Sequence, residues 1–171
     1  MEQLRRLIRD VPDFPMPGIL FRDITPLLRD PQGLRSTVDA LAERFADRDV
    51  SAVAGIESRG FVFGAPLAMK LGVGFVPIRK VGKLPAETVR REYSLEYGTN
   101  TLEMHADAAA PGERVLLVDD LLATGGTARA AVELIEAVGA SVVAAAFVIE
   151  LAFLNGRTAL PTTEVHALLE Y

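Results

Sequence analysis

Val115-Leu116-Leu117-Val118-Asp119-Asp120-Leu121-Leu122-Ala123-Thr124-Gly125-Gly126-Thr127 joins an apolar, partly β-branched run to two carboxylates, a turn of small residues and a helix-patterned segment. That order reads as a buried strand of a parallel α/β sheet feeding a helix. Ligands of such sheets collect beyond the carboxyl ends of the strands, where Asp119 and Asp120 emerge. Residues 123–127 add consecutive backbone N–H groups, glycines that permit close approach and the hydroxyls of Thr124 and Thr127, all at a helix N-terminus. The result is a phosphate cradle. It is not a Walker A loop, since no Lys follows the glycines and the acids precede them. Two carboxylates would repel a bare phosphate, so the ligand must also bring hydroxyls or a divalent cation, and a sugar phosphate meets both demands. Taken alone, the run leaves open a Walker B-like strand or an ordinary acidic turn.

The rest of the chain bounds the setting. With 171 residues, half of them apolar and 24% charged, it suits a single α/β domain spanning 1–171. A net charge of −5 disfavours a general nucleic-acid binder, which needs a basic face. The absence of cysteine excludes thiol nucleophiles and cysteine metal sites. The longest apolar stretch, residues 142–149, is far too short to span a membrane, and residues 1–10 are charged, so a soluble cytoplasmic protein is expected. His105 and His166 lack a visible metal-ligand partner and receive no role.

Moving upstream from the opening run, residues 51–56 read as a second buried strand, followed by Glu57-Ser58-Arg59-Gly60 and an apolar helix over 61–71. Arg59 can fork onto a phosphate oxygen there while neighbouring amides add donors. A third strand, 74–78, runs into residues 79–91, a basic Gly- and Pro-containing loop able to close over a polyanion and exclude water. Alternation through Tyr93, Leu95 and Tyr97, a turn at Gly98-Thr99-Asn100, and inward Leu102 and Met104 predict a β-hairpin. At the N-terminus a short helix is expected over 2–9. The prolines of residues 11–28 forbid a continuous helix or central strand, and Asp30 with Pro31 starts a helix over 31–48. After the opening run come a helix ending at Gly139, a strand over 142–151 and a final segment over 164–170.

Four ordered stretches carry a family resemblance. The opening run resembles the phosphoribosyl-pyrophosphate (PRPP) motif of type I phosphoribosyltransferases. Phe14-Pro15-Met16-Pro17-Gly18-Ile19-Leu20-Phe21-Arg22-Asp23-Ile24-Thr25-Pro26, Arg79-Lys80-Val81-Gly82-Lys83-Leu84-Pro85 and Leu95-Glu96-Tyr97-Gly98 are similar to signatures of the adenine phosphoribosyltransferases. The resemblance implies a three-layer α/β fold with a mainly parallel central sheet, an N-terminal hood from about residues 1–30 and a projecting flexible-loop hairpin. It implies transfer of the phosphoribosyl group from PRPP to adenine, giving AMP and pyrophosphate with Mg²⁺ held mainly by PRPP and water, in a homodimer. The alternatives are a regulator of the same fold that binds PRPP or nucleotide without turnover, and an enzyme for another purine.

Residue by residue, the same resemblance gives Asp119 and Asp120 to the ribose hydroxyls and Ala123, Thr124, Gly125, Gly126 and Thr127 to the 5′-phosphate. Glu57, Ser58, Arg59 and Gly60, with Arg79, Lys80 and Lys83, fall to pyrophosphate, and the Glu57–Ser58 peptide is expected to be cis. Leu20, Phe21, the main chain of Arg22 and Leu121 fall to adenine. Glu96 is placed to exchange a proton with the base, joining Arg59, Asp119 and Asp120 as catalytic, and Tyr97 closes the loop. Val81 departs from the commoner basic residue at its position.

Overall fold

The computed structural model describes residues 1–94 and 99–171. The chain runs α1 (Glu2–Arg5), β1 (Arg9–Pro12), β2 (Leu20–Asp23), α2 (Thr25–Arg29), α3 (Pro31–Phe45), β3 (Ala52–Ile56), α4 (Arg59–Leu71), β4 (Gly74–Lys80), β5 (Thr88–Ser94), β6 (Thr99–His105), β7 (Arg114–Leu122), α5 (Gly126–Ala137), β8 (Ser141–Glu150) and β9 (Val165–Glu170). Two 3₁₀ turns, Ala152–Leu154 and Gly156–Ala159, separate β8 from β9. The main sheet has the order β5-β6-β4-β3-β7-β8-β9. Strands β4, β3, β7, β8 and β9 are parallel, while β6 and β5 extend the β4 edge in antiparallel fashion.

Strand β7 sits centrally, and its alternation divides the core. Val115 and Leu117 pack towards Ala131, Leu134 and Ile135 of α5. Leu116 and Val118 pack towards Leu41 and Phe45 of α3 and Phe63 and Leu67 of α4. Both faces of the sheet are therefore covered, which explains why its strands are continuous apolar runs rather than alternating ones. The three layers and mainly parallel sheet expected from the sequence are present.

The N-terminal residues form a separate two-stranded antiparallel ladder, β1 with β2, beside the main sheet. The expected helix over 2–9 is shorter than its apolar spacing suggested. Arg9 already pairs with Asp23 across the ladder, and its Nε donates to Asp23 Oδ2 at 2.9 Å. The cross-strand partner outweighs local helical preference. At α3 the expected start is exact in kind: the Asp30 side chain accepts the Gly33 N–H at 2.6 Å, with Pro31 in the first turn.

Two boundaries near the basic segment need correction. The expected loop over 79–91 is confined to residues 81–87, because Arg79 and Lys80 close β4 while Arg90 and Arg91 lie within β5. Thr99 and Asn100, expected in a turn, already belong to β6, paired with Ser94 and Tyr93. In both cases ladder pairing overrides the local turn and charge signals. Leu95, Glu96, Tyr97 and Gly98 lie outside the described residues, so the expected roles of Glu96 and Tyr97 fall there as well.

Candidate active site

Beyond the carboxyl ends of β3 and β7 lies a cavity of about 490 Å³, within the usual range for a small-molecule site. Glu57, Ser58 and Arg59 line one side, at the start of α4. Asp119, Asp120, Leu121 and the whole of residues 123–127 line another. Lys80, Tyr93 and Asn100 enter from the β4 end and the hairpin. Neither α4 nor α5 has a side-chain cap at its N-terminus, so both helices turn unpartnered amides towards this region.

The acid pair is close-set and poorly solvated. Burial pushes the Asp119 carboxyl well above its ordinary range, and the like charge of Asp120 pushes it further. Asp120 is also raised by burial, although the neighbouring Arg59 guanidinium draws it back down. Arg59 Nε lies 2.8 Å from Asp120 Oδ2, an ion pair in which the carboxylate is buried and the guanidinium is partly open to the cavity. Asp119 Oδ1 accepts the Asp120 N–H at 2.8 Å. Such a pair favours any positive charge that appears nearby.

The Glu57–Ser58 peptide is cis, as expected. Gly60 does not line the cavity but makes the loop's position possible. A methyl group on it would stand 2.8 Å from the Val118 carbonyl oxygen and 3.0 Å from Asp119 Oδ1, so only glycine lets this helix start lie against the acid strand. Of the expected basic residues, Lys80 lines the cavity. Arg79 instead donates through Nε to Glu57 Oε2 at 2.8 Å, and Glu57 also accepts the Lys80 N–H at 3.3 Å. Arg79 and Lys83 do not line the cavity in this structure.

The hood residues lie to one side. The Phe21 ring centre is 5.7 Å from the Arg59 guanidinium, and Phe14 meets Phe21 edge-on at 5.1 Å. Leu20 is exposed. The Arg22 side chain does not line the cavity; it is paired with Asp10 and lies 4.0 Å from the Tyr171 ring centre, and Arg22 stands opposite Asp10 in the β1–β2 ladder. Leu121 is part of the cavity wall, as expected.

Three features escaped the sequence reading. Tyr93 and Asn100 face each other across β5 and β6 and both line the cavity, a convergence visible only once the strands are paired. Glu103, between the inward Leu102 and Met104, is itself fully buried and accepts the Lys83 and Leu84 N–H groups at 2.9 and 3.0 Å. Behind the 123–127 loop, Arg157 and the buried Glu150 form a bidentate pair.

Known proteins give the same picture. The phosphoribosyl transferase domain family matches residues 24–161. An adenine phosphoribosyltransferase of Cyanothece sp. is 62% identical over 168 residues, covering 98% of this chain and 99% of the relative. The crystal structure of adenine phosphoribosyltransferase from Thermoanaerobacter pseudethanolicus superposes with a TM-score of 0.97 at 50% identity, covering 99% of each chain. That of the Saccharomyces cerevisiae enzyme, complexed with an imino-altritol bisphosphate and adenine, gives 0.93 at 43% identity, covering 98% of this chain and 97% of the other. With an acid pair, a glycine-rich loop and an arginine loop around one cavity, and with full-length identity of this order, the chain belongs to the adenine phosphoribosyltransferase family of type I phosphoribosyltransferases.

Proposed function

We propose that this chain transfers the 5-phosphoribosyl group of PRPP to N9 of adenine, giving AMP and pyrophosphate in purine salvage. The observation that carries the reading is the opening of the acid pair, residues 123–127 and the Arg59 loop onto a single cavity. PRPP presents three matching features: a 5′-phosphate, two ribose hydroxyls and a pyrophosphate.

The amides and hydroxyls of residues 123–127 take the 5′-phosphate at the α5 N-terminus, aided by the helix dipole. Asp119 and Asp120 accept the ribose hydroxyls. Glu57, Ser58, Arg59 and Gly60 bound the pyrophosphate site with Lys80, whereas Arg79 acts there first by holding Glu57, and Lys83 joins from the 81–87 loop. Leu121 and the hood residues Leu20 and Phe21 enclose the flat base, with edge hydrogen bonds from the Arg22 main chain.

In the reaction N9 bonds to the ribose anomeric carbon as its bond to the pyrophosphate oxygen breaks. The bonding electrons leave with pyrophosphate, and the carbon passes through a cation-like state. Asp119 and Asp120, desolvated and close together, favour that developing charge, while Arg59 and Lys80 offset the charge on the leaving group. Glu96 takes the proton that the base gives up, and Tyr97 helps close the loop; both assignments rest on the Leu95-Glu96-Tyr97-Gly98 resemblance. Bound substrates are held in line and kept from water, so no protein nucleophile is required.

Mg²⁺ is the proposed cofactor. Among the described residues no group of three or more His, Cys, Asp or Glu side chains is arranged to hold a metal, and the ion would be held mainly by PRPP oxygens and water. When bound, the ion neutralises pyrophosphate charge as a Lewis acid. A cytoplasmic homodimer is proposed on the family resemblance. No helix among the described residues is long and apolar enough to cross a membrane.

The test is pyrophosphate release from Mg-PRPP with adenine, hypoxanthine, guanine and orotate in turn. Turnover with adenine is expected. Turnover only with an oxopurine would refute the choice of base, and PRPP binding without turnover for every base would make the chain a regulator.

A further inference from the structure

Strand β8 ends at Glu150, alongside Leu122 of β7, and the Leu151 N–H bonds the Leu122 carbonyl at 2.9 Å. The chain then turns back through residues 152–159 and lies directly behind the phosphate loop. The contact is backbone on backbone. A methyl group built on Gly156 would collide with the Ala123 carbonyl oxygen and the Leu122 side chain, and one built on Gly125 would collide with the Gly156 carbonyl and with Ala159 Cβ. Gly125 has φ 86°, a conformation that side chains disfavour, and it is the residue that caps α5. Each glycine therefore fills the space the other leaves.

This turn is clamped from outside. Arg157 donates to the buried Glu150 through Nε at 2.8 Å and Nη2 at 2.6 Å, and its Nη1 reaches the Val165 carbonyl of β9 at 2.8 Å. A planar fork with three separate acceptors holds one geometry, which a flexible ammonium would not. Neither Glu150 nor Arg157 lines the cavity.

We propose that Arg157, Glu150 and Gly156 are positioning residues that hold the 123–127 loop in its phosphate-accepting shape. The inference rests on the assignment of that loop to the 5′-phosphate. A loop pre-shaped from behind loses less freedom when its amides converge on a dianion, so the clamp acts on ligands that carry this phosphate and not on the pyrophosphate half of the site.

The experiment compares Arg157→Gln, Arg157→Lys and Gly156→Ala with the unaltered enzyme, measuring calorimetric affinity for ribose 5-phosphate and for pyrophosphate, together with KM for PRPP and kcat. Arg157→Gln and Gly156→Ala are expected to weaken ribose 5-phosphate binding and raise the PRPP KM by roughly ten-fold to a hundred-fold. Pyrophosphate affinity and kcat at saturating PRPP should stay within about two-fold of the unaltered enzyme, and Arg157→Lys should fall between. A uniform loss of both affinities and of kcat would mean a merely structural pair and overturn the proposal, as would unchanged ribose 5-phosphate affinity. If Gly156→Ala does not fold, the two Arg157 variants decide. Thr127→Ala separates the two layers of the argument: no effect on ribose 5-phosphate would sink the loop assignment itself, whereas weakening by Thr127→Ala without weakening by the Arg157 variants would sink only the clamp.

Discussion

Asp119 is held where its ionisation is disfavoured. Burial and the adjacent Asp120 both oppose its ionisation, so its folded pKa lies well above its unfolded one. The folded protein then binds more protons than the unfolded chain between the two values, and stability falls as pH rises through that window. The penalty is absent below the ordinary Asp range and full above the raised pKa. Asp119→Asn removes it, and should melt higher than the native protein at neutral pH, with the gap narrowing as pH is lowered into the ordinary Asp range. The same variant should lose ten-fold or more in kcat/KM for PRPP, on the scale of about 1.5–3 kcal/mol for a hydrogen bond to a charged group. Thermal melts across pH, set beside kinetics, check both. A variant less stable than the native protein at neutral pH would mean that the acid pair is not strained.

Among the elements, the connection between β4 and β5 departs most from its sequence pattern. Cations at 79–91 suggest one mobile loop, yet Glu103 on β6 ties down the middle of the shorter 81–87 segment through the Lys83 and Leu84 N–H groups. Arg90 approaches the same carboxylate at 3.4 Å. Although burial works against its charge, these donors and Arg90 hold the Glu103 pKa below the usual range. Its stabilisation is accordingly present above the ordinary Glu value and fades as pH falls through the lowered one. Glu103→Ala leaves two amides and a guanidinium without their acceptor, at a cost of about 1–3 kcal/mol. Limited proteolysis should then cut within 81–87 several times faster than in the native protein, and equal cutting rates would show that Glu103 does not anchor the loop.

At the scale of the whole molecule, the N-terminal ladder is tied to the far end of the chain. It forms a separate two-stranded sheet. The Tyr171 ring lies 4.0 Å from the Arg22 guanidinium and 4.5 Å from that of Arg5, while Arg5 also donates to the Glu170 carbonyl at 2.9 Å. Two cation–π contacts of about 0.5–1 kcal/mol each correspond to several-fold in affinity. Tyr171→Ala should therefore raise the KM for adenine several-fold and leave that for PRPP near its native value, if the N-terminal ladder encloses the base as proposed. Steady-state kinetics with each substrate varied in turn would check this, and an equal rise in both KM values would count against the tether.

Residues 115–127 by themselves determined the strand, the acid pair at its exit and the glycine-rich turn into a helix, because a buried parallel strand, its exit and a helix N-terminus are written in consecutive residues. The four ordered motifs likewise carried the fold and the choice of base. Tertiary structure alone decided that Arg59 pairs with Asp120, that Arg79 turns to Glu57, that Tyr93 and Asn100 reach the cavity and that Glu103 is buried. It also brought Gly156 and the Arg157–Glu150 pair behind the phosphate loop. The physical reason is the same in each case. Strand register and helix packing bring together groups tens of residues apart, and the hydrogen bonds and charges that meet there have no local pattern from which to be read.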